Sequence, residues 1–204
     1  MNRDICYGEA FEERIANLLE QNGHTVYRSV YATYGKQTSQ IDLVLFDKSM
    51  PICIECKAID ASRVIYKRSH NQWMYIDIKG NTRYINNPLK QVKRHADNLF
   101  MNMVNDIEAS LPWEMTIPSA RQAVVIKGHI SDYLSENIFT EKESSIQKFL
   151  EYCNENWELP SIQVEAMHKW LQEHSDTSKE RLEEHIKYLN DCKKNKTGAF
   201  SPEQ

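Results

Sequence analysis

Two short apolar runs, residues 41–46 and 52–57, are each broken by charge: Asp42 in the first, Glu55 and Lys57 in the second. Charge buried in an apolar strand costs several kcal/mol unless it is paired or bound to metal. Both runs have strand character, and Asp47-Lys48-Ser49-Met50-Pro51 between them is a breaker, so the two predict a hairpin. Glu55 and Lys57 are two apart and share one face of their strand. A hairpin partner can bring Asp42 alongside that face, so that two carboxylates and one ammonium converge at a sheet edge. Two readings stay open on these residues alone. One is a structural salt bridge. The other is a site for a hard cation such as Mg²⁺, with open positions for a phosphate and a lysine to orient or activate water.

The flanking pattern predicts an α/β core. Residues 8–22 carry Phe11, Ile15, Leu18 and Leu19 at helical spacing, stopped by Asn22-Gly23. Residues 24–30 read as a strand and 31–39 as a polar loop around Gly35. Residues 72–78 and 83–85 flank Lys79-Gly80-Asn81-Thr82, a second hairpin signal. Asn87-Pro88 opens a helix to about residue 108, with Leu89, Val92, Ala96, Leu99 and Phe100 as its buried stripe. Residues 123–126 form a short apolar strand. Helical patterns follow over 141–156, 161–174 and 177–194, and the tail from 193 reads as frayed. This organisation predicts a domain over residues 1–140 and an acidic helical extension over 141–204.

Charge supports that division. The chain has 204 residues and a net charge of -4. Residues 1–140 carry 16 basic and 16 acidic side chains, so the deficit belongs to the C-terminal third. Between Lys57 and Arg94 nine basic residues face only two acids, Asp60 and Asp77, with Tyr66, Trp73, Tyr75 and Tyr84 interleaved. Such a stretch suits a phosphate backbone, or is a solvated surface over a hairpin core. Hydrophobic content of 41% argues against wholesale disorder. No apolar run approaches the ~20 residues that span a bilayer, and no signal-like segment opens the chain. A soluble, cytoplasmic protein with no membrane partner is expected. The five cysteines are odd in number and sparse, which argues against a disulfide scaffold. Cys53-Ile-Glu-Cys56 lies in a strand, so its thiols point to opposite faces and do not chelate zinc together. His168 and His174 read as surface residues, and Met101, Met103, Trp170 and Leu171 as packing.

Asp42, twelve residues, then Glu55-Cys56-Lys57 resembles the D-x(n)-E-x-K core of the PD-(D/E)xK nuclease superfamily. With Gly8-Glu9, Gln40-Ile41-Asp42, Ile54-Glu55-Cys56-Lys57, Trp73 and Asn87-Pro88-Leu89-Lys90-Gln91 followed by His95, the order resembles the nuclease-related domain, NERD, over about residues 5–130. That resemblance implies a restriction-endonuclease-like core, a mixed central sheet flanked by helices, and a Mg²⁺-dependent nuclease acting on DNA, with Mn²⁺ able to substitute. It implies Asp42, Glu55 and the Cys56 carbonyl as metal ligands and Lys57 as the catalytic lysine. Glu9 would be the first-helix glutamate and Gln91 the second-helix glutamine, with His95 catalytic or structural.

DNA is the expected partner, tracked by Lys67, Arg68, Lys90, Lys93 and Arg94. A protein partner is expected through residues 141–204, and homo-oligomerisation stays open. Phage defence and DNA repair are the candidate settings for an endonuclease of this kind. The competing expectation is a catalytically silent DNA-binding module that recruits a partner through its helices. An RNA-processing enzyme is a third, since the phosphate chemistry is the same.

Overall fold

The computed structural model describes residues 3–34, 37–59, 61–65, 71–128, 137–154 and 158–175. In chain order the elements are α1 (Arg3–Gln21), β1 (Val26–Tyr34), β2 (Gln37–Leu45), β3 (Ile52–Ala58), β4 (Ala61–Ile65), β5 (Gln72–Asp77), β6 (Thr82–Asn86), α2 (Pro88–Ile107), β7 (Arg121–Lys127), β8 (Ile138–Thr140), α3 (Glu143–Cys153) and α4 (Ser161–His174). A mixed sheet runs β1-β2-β3-β7-β8. Its first three strands are antiparallel, and β3, β7 and β8 are parallel. A second sheet, β4-β5-β6, is inserted between β3 and α2.

Alternation along β3 separates two cores. Ile52, Ile54 and Cys56 join Phe11, Ile15 and Leu19 of α1, with Phe149 and Cys153 of α3 on the same side. Cys53 lies on the opposite face with Val92, Ala96, Leu99 and Met103 of α2 and Met167, Trp170 and Leu171 of α4. The two cysteines thus point apart, as strand geometry requires. A parallel crossover needs a long connection, and here it comprises β4 to β6 and α2. That helix is started by Asn87, whose Oδ1 accepts from the backbone N–H of Leu89 at 3.0 Å and Lys90 at 3.4 Å, with Pro88 in the first turn.

Several expectations are corrected. Of the polar loop expected over 31–39, residues 31–34 and 37–39 are strand: β1 and β2 pair in register from Tyr31↔Gln40 to Tyr34↔Gln37. Thr33 and Thr38 are exposed, while Ala32 and Ser39 are buried and Asn98 donates to the Ser39 hydroxyl at 2.7 Å. Strands β4 and β8 were not anticipated. The expected helix over 177–194 and the frayed tail lie outside the described residues. His168 is not a free surface residue. Its Nδ1 lies 2.5 Å from the Tyr27 hydroxyl and its Nε2 2.8 Å from the Asp47 carbonyl, tying α4 to the sheet. His174 stacks on Trp170 with ring centroids 3.9 Å apart.

Candidate active site

The site begins with a fault shared by two strands. Tyr27 and Val30 of β1 both face α2, and so do Ile41 and Val44 of β2. Strict alternation would not allow either pair, so both strands lose phase at the same rung, between Arg28↔Leu43 and Val30↔Ile41. Ser29 stands at that rung with φ of 48°, the left-handed region that a non-glycine residue occupies only at a cost. Asp42 is its counterpart on β2. The carboxylate of Asp42 consequently turns toward β3, where its Oδ2 accepts the backbone N–H of Cys56 at 2.9 Å. The paired β2–β3 ladder ends one rung earlier, at Leu43↔Ile54. A side chain thus replaces the ladder acceptor where the strands splay.

Glu55 sits beside that splay with its side chain fully buried. Its Oε1 accepts from the Lys57 ammonium, and its Oε2 lies 3.3 Å from Nδ1 of His95. Neither Oε2 nor Nδ1 has a hydrogen bond. A buried carboxylate oxygen left without one is costly and calls for an explanation, a bound cation being one. The Lys57 side chain is a quarter exposed, so the pair lies just beneath the surface. His95 belongs to the buried stripe of α2. Gln91 is half-buried one turn before it, on the same side of the helix.

A third carboxylate comes from α1. Glu12 is half-buried, whereas Glu9, one turn earlier, is exposed. Burial raises the Glu12 carboxyl, and the charge of Glu55 raises it further, against the opposing pull of Lys57. Asp42 is held well above the usual aspartate range, first by burial and then by Glu55 and Glu12. At Lys57 burial acts to lower the pKa, but the charge and hydrogen bond of Glu55, with Asp42, outweigh it and the ammonium is stabilised. The Cys56 thiol is pushed up by burial and by Asp42, so it is an inert neutral group.

The sequence singled out Asp42, Glu55 and Lys57, and the fold brings all three together. It did not single out Glu12, because one more acid on an amphipathic helix carries no signal until the helix phase is known. Lys90 donates to the Asn71 side chain at 2.5 Å, and Lys93 and Arg94 are exposed on the first turns of α2. Lys67 and Arg68 lie outside the described residues.

No group of three or more His, Cys, Asp or Glu side chains in metal-holding geometry occurs among the described residues. The donors that do converge are oxygen atoms of two carboxylates with a third nearby. Mg²⁺ is bound by such sparse sets, with water completing its octahedron. A Glu55 Oε2 without a hydrogen bond, and carboxyls of Asp42 and Glu12 both raised by burial and by Glu55, fit a cation there. No described helix is long and apolar enough to cross a membrane.

Comparison with known proteins agrees with this architecture. No curated protein and no solved structure matches the chain. The nuclease-related domain matches over residues 7–115, from α1 through α2, an interval that holds Glu12, Asp42, Glu55, Lys57, Gln91 and His95. The chain belongs to the nuclease-related domain (NERD) family.

Proposed function

We propose that this protein is a Mg²⁺-dependent nuclease that hydrolyses phosphodiester bonds in DNA, with Asp42, Glu55 and Lys57 at its centre. The observation that carries the reading is the fully buried Glu55, one oxygen on Lys57 and the other without a hydrogen bond, 3.3 Å from His95 Nδ1. A purely structural ion pair does not need a second acid at the same splay, or a third from α1.

Asp42 and Glu55 would hold the cation, which when bound supplies charge stabilisation at the scissile phosphate and a more acidic water. In an extended strand a residue's N–H and C=O leave on the same side. The carbonyl of Cys56 therefore faces the gap into which its N–H donates, available as the third ligand. Glu12 suits an outer role, holding water through a carboxyl of raised pKa, and takes the place expected for Glu9. Lys57 remains protonated, so its role is to hold the attacking water or offset charge on the phosphate rather than to accept a proton. Gln91 and His95 lie on the α2 face that closes the site.

The test is a cleavage panel of linear, nicked, supercoiled and single-stranded DNA, with RNA, in Mg²⁺, Mn²⁺ or EDTA. Cleavage that needs the metal and disappears in Lys57→Ala, with DNA affinity kept within about threefold, is the expected result. An ammonium that acts on the reacting phosphate matters most in the transition state. Binding without turnover by the wild type under every condition would make the protein a silent binding module instead. A preference for RNA would move the substrate and leave the chemistry.

A further inference from the structure

The second sheet is apolar on the side where a solvent-facing ribbon is ordinarily polar. Its inner side packs on the core through Trp73 and Ile85, which face each other across β5 and β6, with Tyr75 and Arg83 as the next pair. The outer side pairs Met74 with Tyr84 and Ile76 with Thr82 in its middle, with the polar pair Gln72 and Asn86 at the end away from the turn. Tyr84 is 62% exposed, and Ile78, at the turn joining the strands, is 66% exposed.

That turn is fixed. The Asp77 carboxylate accepts from the backbone N–H groups of Lys79 and Asn81 and from the side chains of Asn81 and Arg83, at 2.8–3.3 Å. Gly80 supplies a φ of 83°. Ile78 is therefore presented on a braced turn, and the one acid of the ribbon is engaged in its own backbone. The exposed neighbours are neutral or basic: Lys79 and Asn81 at the turn, and Lys90 of α2, which donates to Asn71 beside β5.

The ribbon is tied to the candidate site at both ends. β4 starts within three residues of the end of β3. α2 starts two residues after β6 ends, and its His95 contacts Glu55. Pro88 to His95 is about 10 Å of helix, so a strand with a phosphate at Glu55 and Lys57 reaches the ribbon within a few nucleotides. Resting on the phosphodiesterase reading, we infer that the outer face of β5 and β6, centred on Tyr84 and Met74 with Ile78 at its tip, stacks the bases of an unpaired nucleic-acid strand. Nucleobases offer flat apolar faces on a polyanion, which matches an exposed ring with neutral or basic neighbours. Paired bases hide those faces, so the substrate class is a single strand, a flap or a frayed end rather than intact duplex.

Fluorescence anisotropy on the full chain carrying Lys57→Ala, in Mg²⁺, tests this with a twenty-nucleotide oligo-dT, an oligo-rU of equal length and a blunt duplex. Tyr84→Ala is expected to weaken oligo-dT binding roughly tenfold and duplex binding by less than twofold. Tyr84→Phe should bind like the parent, because the ring and not the hydroxyl is used. Ile78→Ser should repeat the single-strand loss more weakly. Equal retention of oligo-rU would make the surface general for unpaired strands, and its loss would restrict it to DNA. All three substitutions are on exposed residues, and circular dichroism checks the fold. Unchanged oligo-dT affinity in Tyr84→Ala, an equal loss on duplex, or Tyr84→Phe behaving like alanine each overturns the inference. Cleavage by wild type that Tyr84→Ala does not alter sinks this inference alone. Tyr84-dependent strand binding by a wild type without turnover sinks the nuclease reading alone.

Discussion

At the scale of single residues, the site is held at a cost that metal would offset. Asp42 and Glu12 have carboxyl groups raised by burial and by Glu55, so in the metal-free protein their ionisation opposes folding. The sign follows from linkage. A carboxyl raised in the folded state favours folding below its ordinary pKa, 3.8 for aspartate, and that contribution is lost as pH rises through the folded value. Asp42→Asn keeps an acceptor for the Cys56 N–H and removes the charge. It should stabilise the metal-free protein at pH 7 by about 1 kcal/mol, and the gain should vanish as pH falls toward 4. It should also abolish the rise in Tm with Mn²⁺ that the proposed metal site predicts for the wild type. Thermal unfolding across pH, with Mn²⁺ and with EDTA, reads all three, and a variant that Mn²⁺ still stabilises would remove Asp42 from the ligand set. Asp42, Glu55 and Lys57 were legible in the sequence because charge in an apolar strand is conspicuous. The fault at Ser29 was not, since nothing in its own chemistry announces a positive φ. Ser29→Val, which disfavours that conformation, should cost roughly 1–3 kcal/mol in urea unfolding.

At the scale of elements, legibility followed local punctuation. α2 was readable from Asn87-Pro88 and its apolar stripe, and the structure starts it at Pro88 with Asn87 as cap. The β1–β2 hairpin was missed through residues 31–39, because polarity was read as loop when it marks the solvent side of an edge strand. What makes that stretch a strand is the pairing of β1 with β2, Thr33 opposite Thr38, with the Thr33 N–H donating to the Asn102 side chain at 2.6 Å. The cap of α2 has a consequence for the site, since Gln91 and His95 ride on its first two turns. Asn87→Ala leaves the N–H groups of Leu89 and Lys90 without their acceptor. A loss of about 1 kcal/mol by urea unfolding is expected, with a fall in cleavage larger than the stability change accounts for. An unaltered rate would show that the helix start does not set the site.

At the scale of the whole molecule, the charge division near residue 140 does not coincide with a division of the core. Phe149 of α3 lies with α1 under one face of the sheet, and Met167, Trp170 and Leu171 of α4 lie with α2 under the other. Composition could show that the last third is acidic, but not that the apolar residues of α3 and α4 complete both layers, because that depends on which face each helix reaches. Met167 is fully buried. Met167→Ala should therefore lower the stability of the entire protein by roughly 2–5 kcal/mol within one cooperative urea transition. An independent appendage would instead melt in a separate, earlier transition while the first 140 residues kept their midpoint. The charge asymmetry has its own readout. Lys93 and Arg94 are exposed on the α2 turn that leads to His95, in a stretch where basic residues far outnumber acids. If they meet phosphates, each contributes about 0.9 to the slope of log affinity against log salt on duplex DNA. Replacing both with alanine should flatten that slope by one to two units and weaken all sequences alike, since phosphate contacts carry no base information. Stability should stay within about 0.5 kcal/mol, as is usual for exposed side chains. Mn²⁺ affinity should hold as well, because neither residue is a ligand. A slope equal to that of the parent, measured on the Lys57→Ala protein, would put the DNA path on another face of the molecule and leave the metal site untouched.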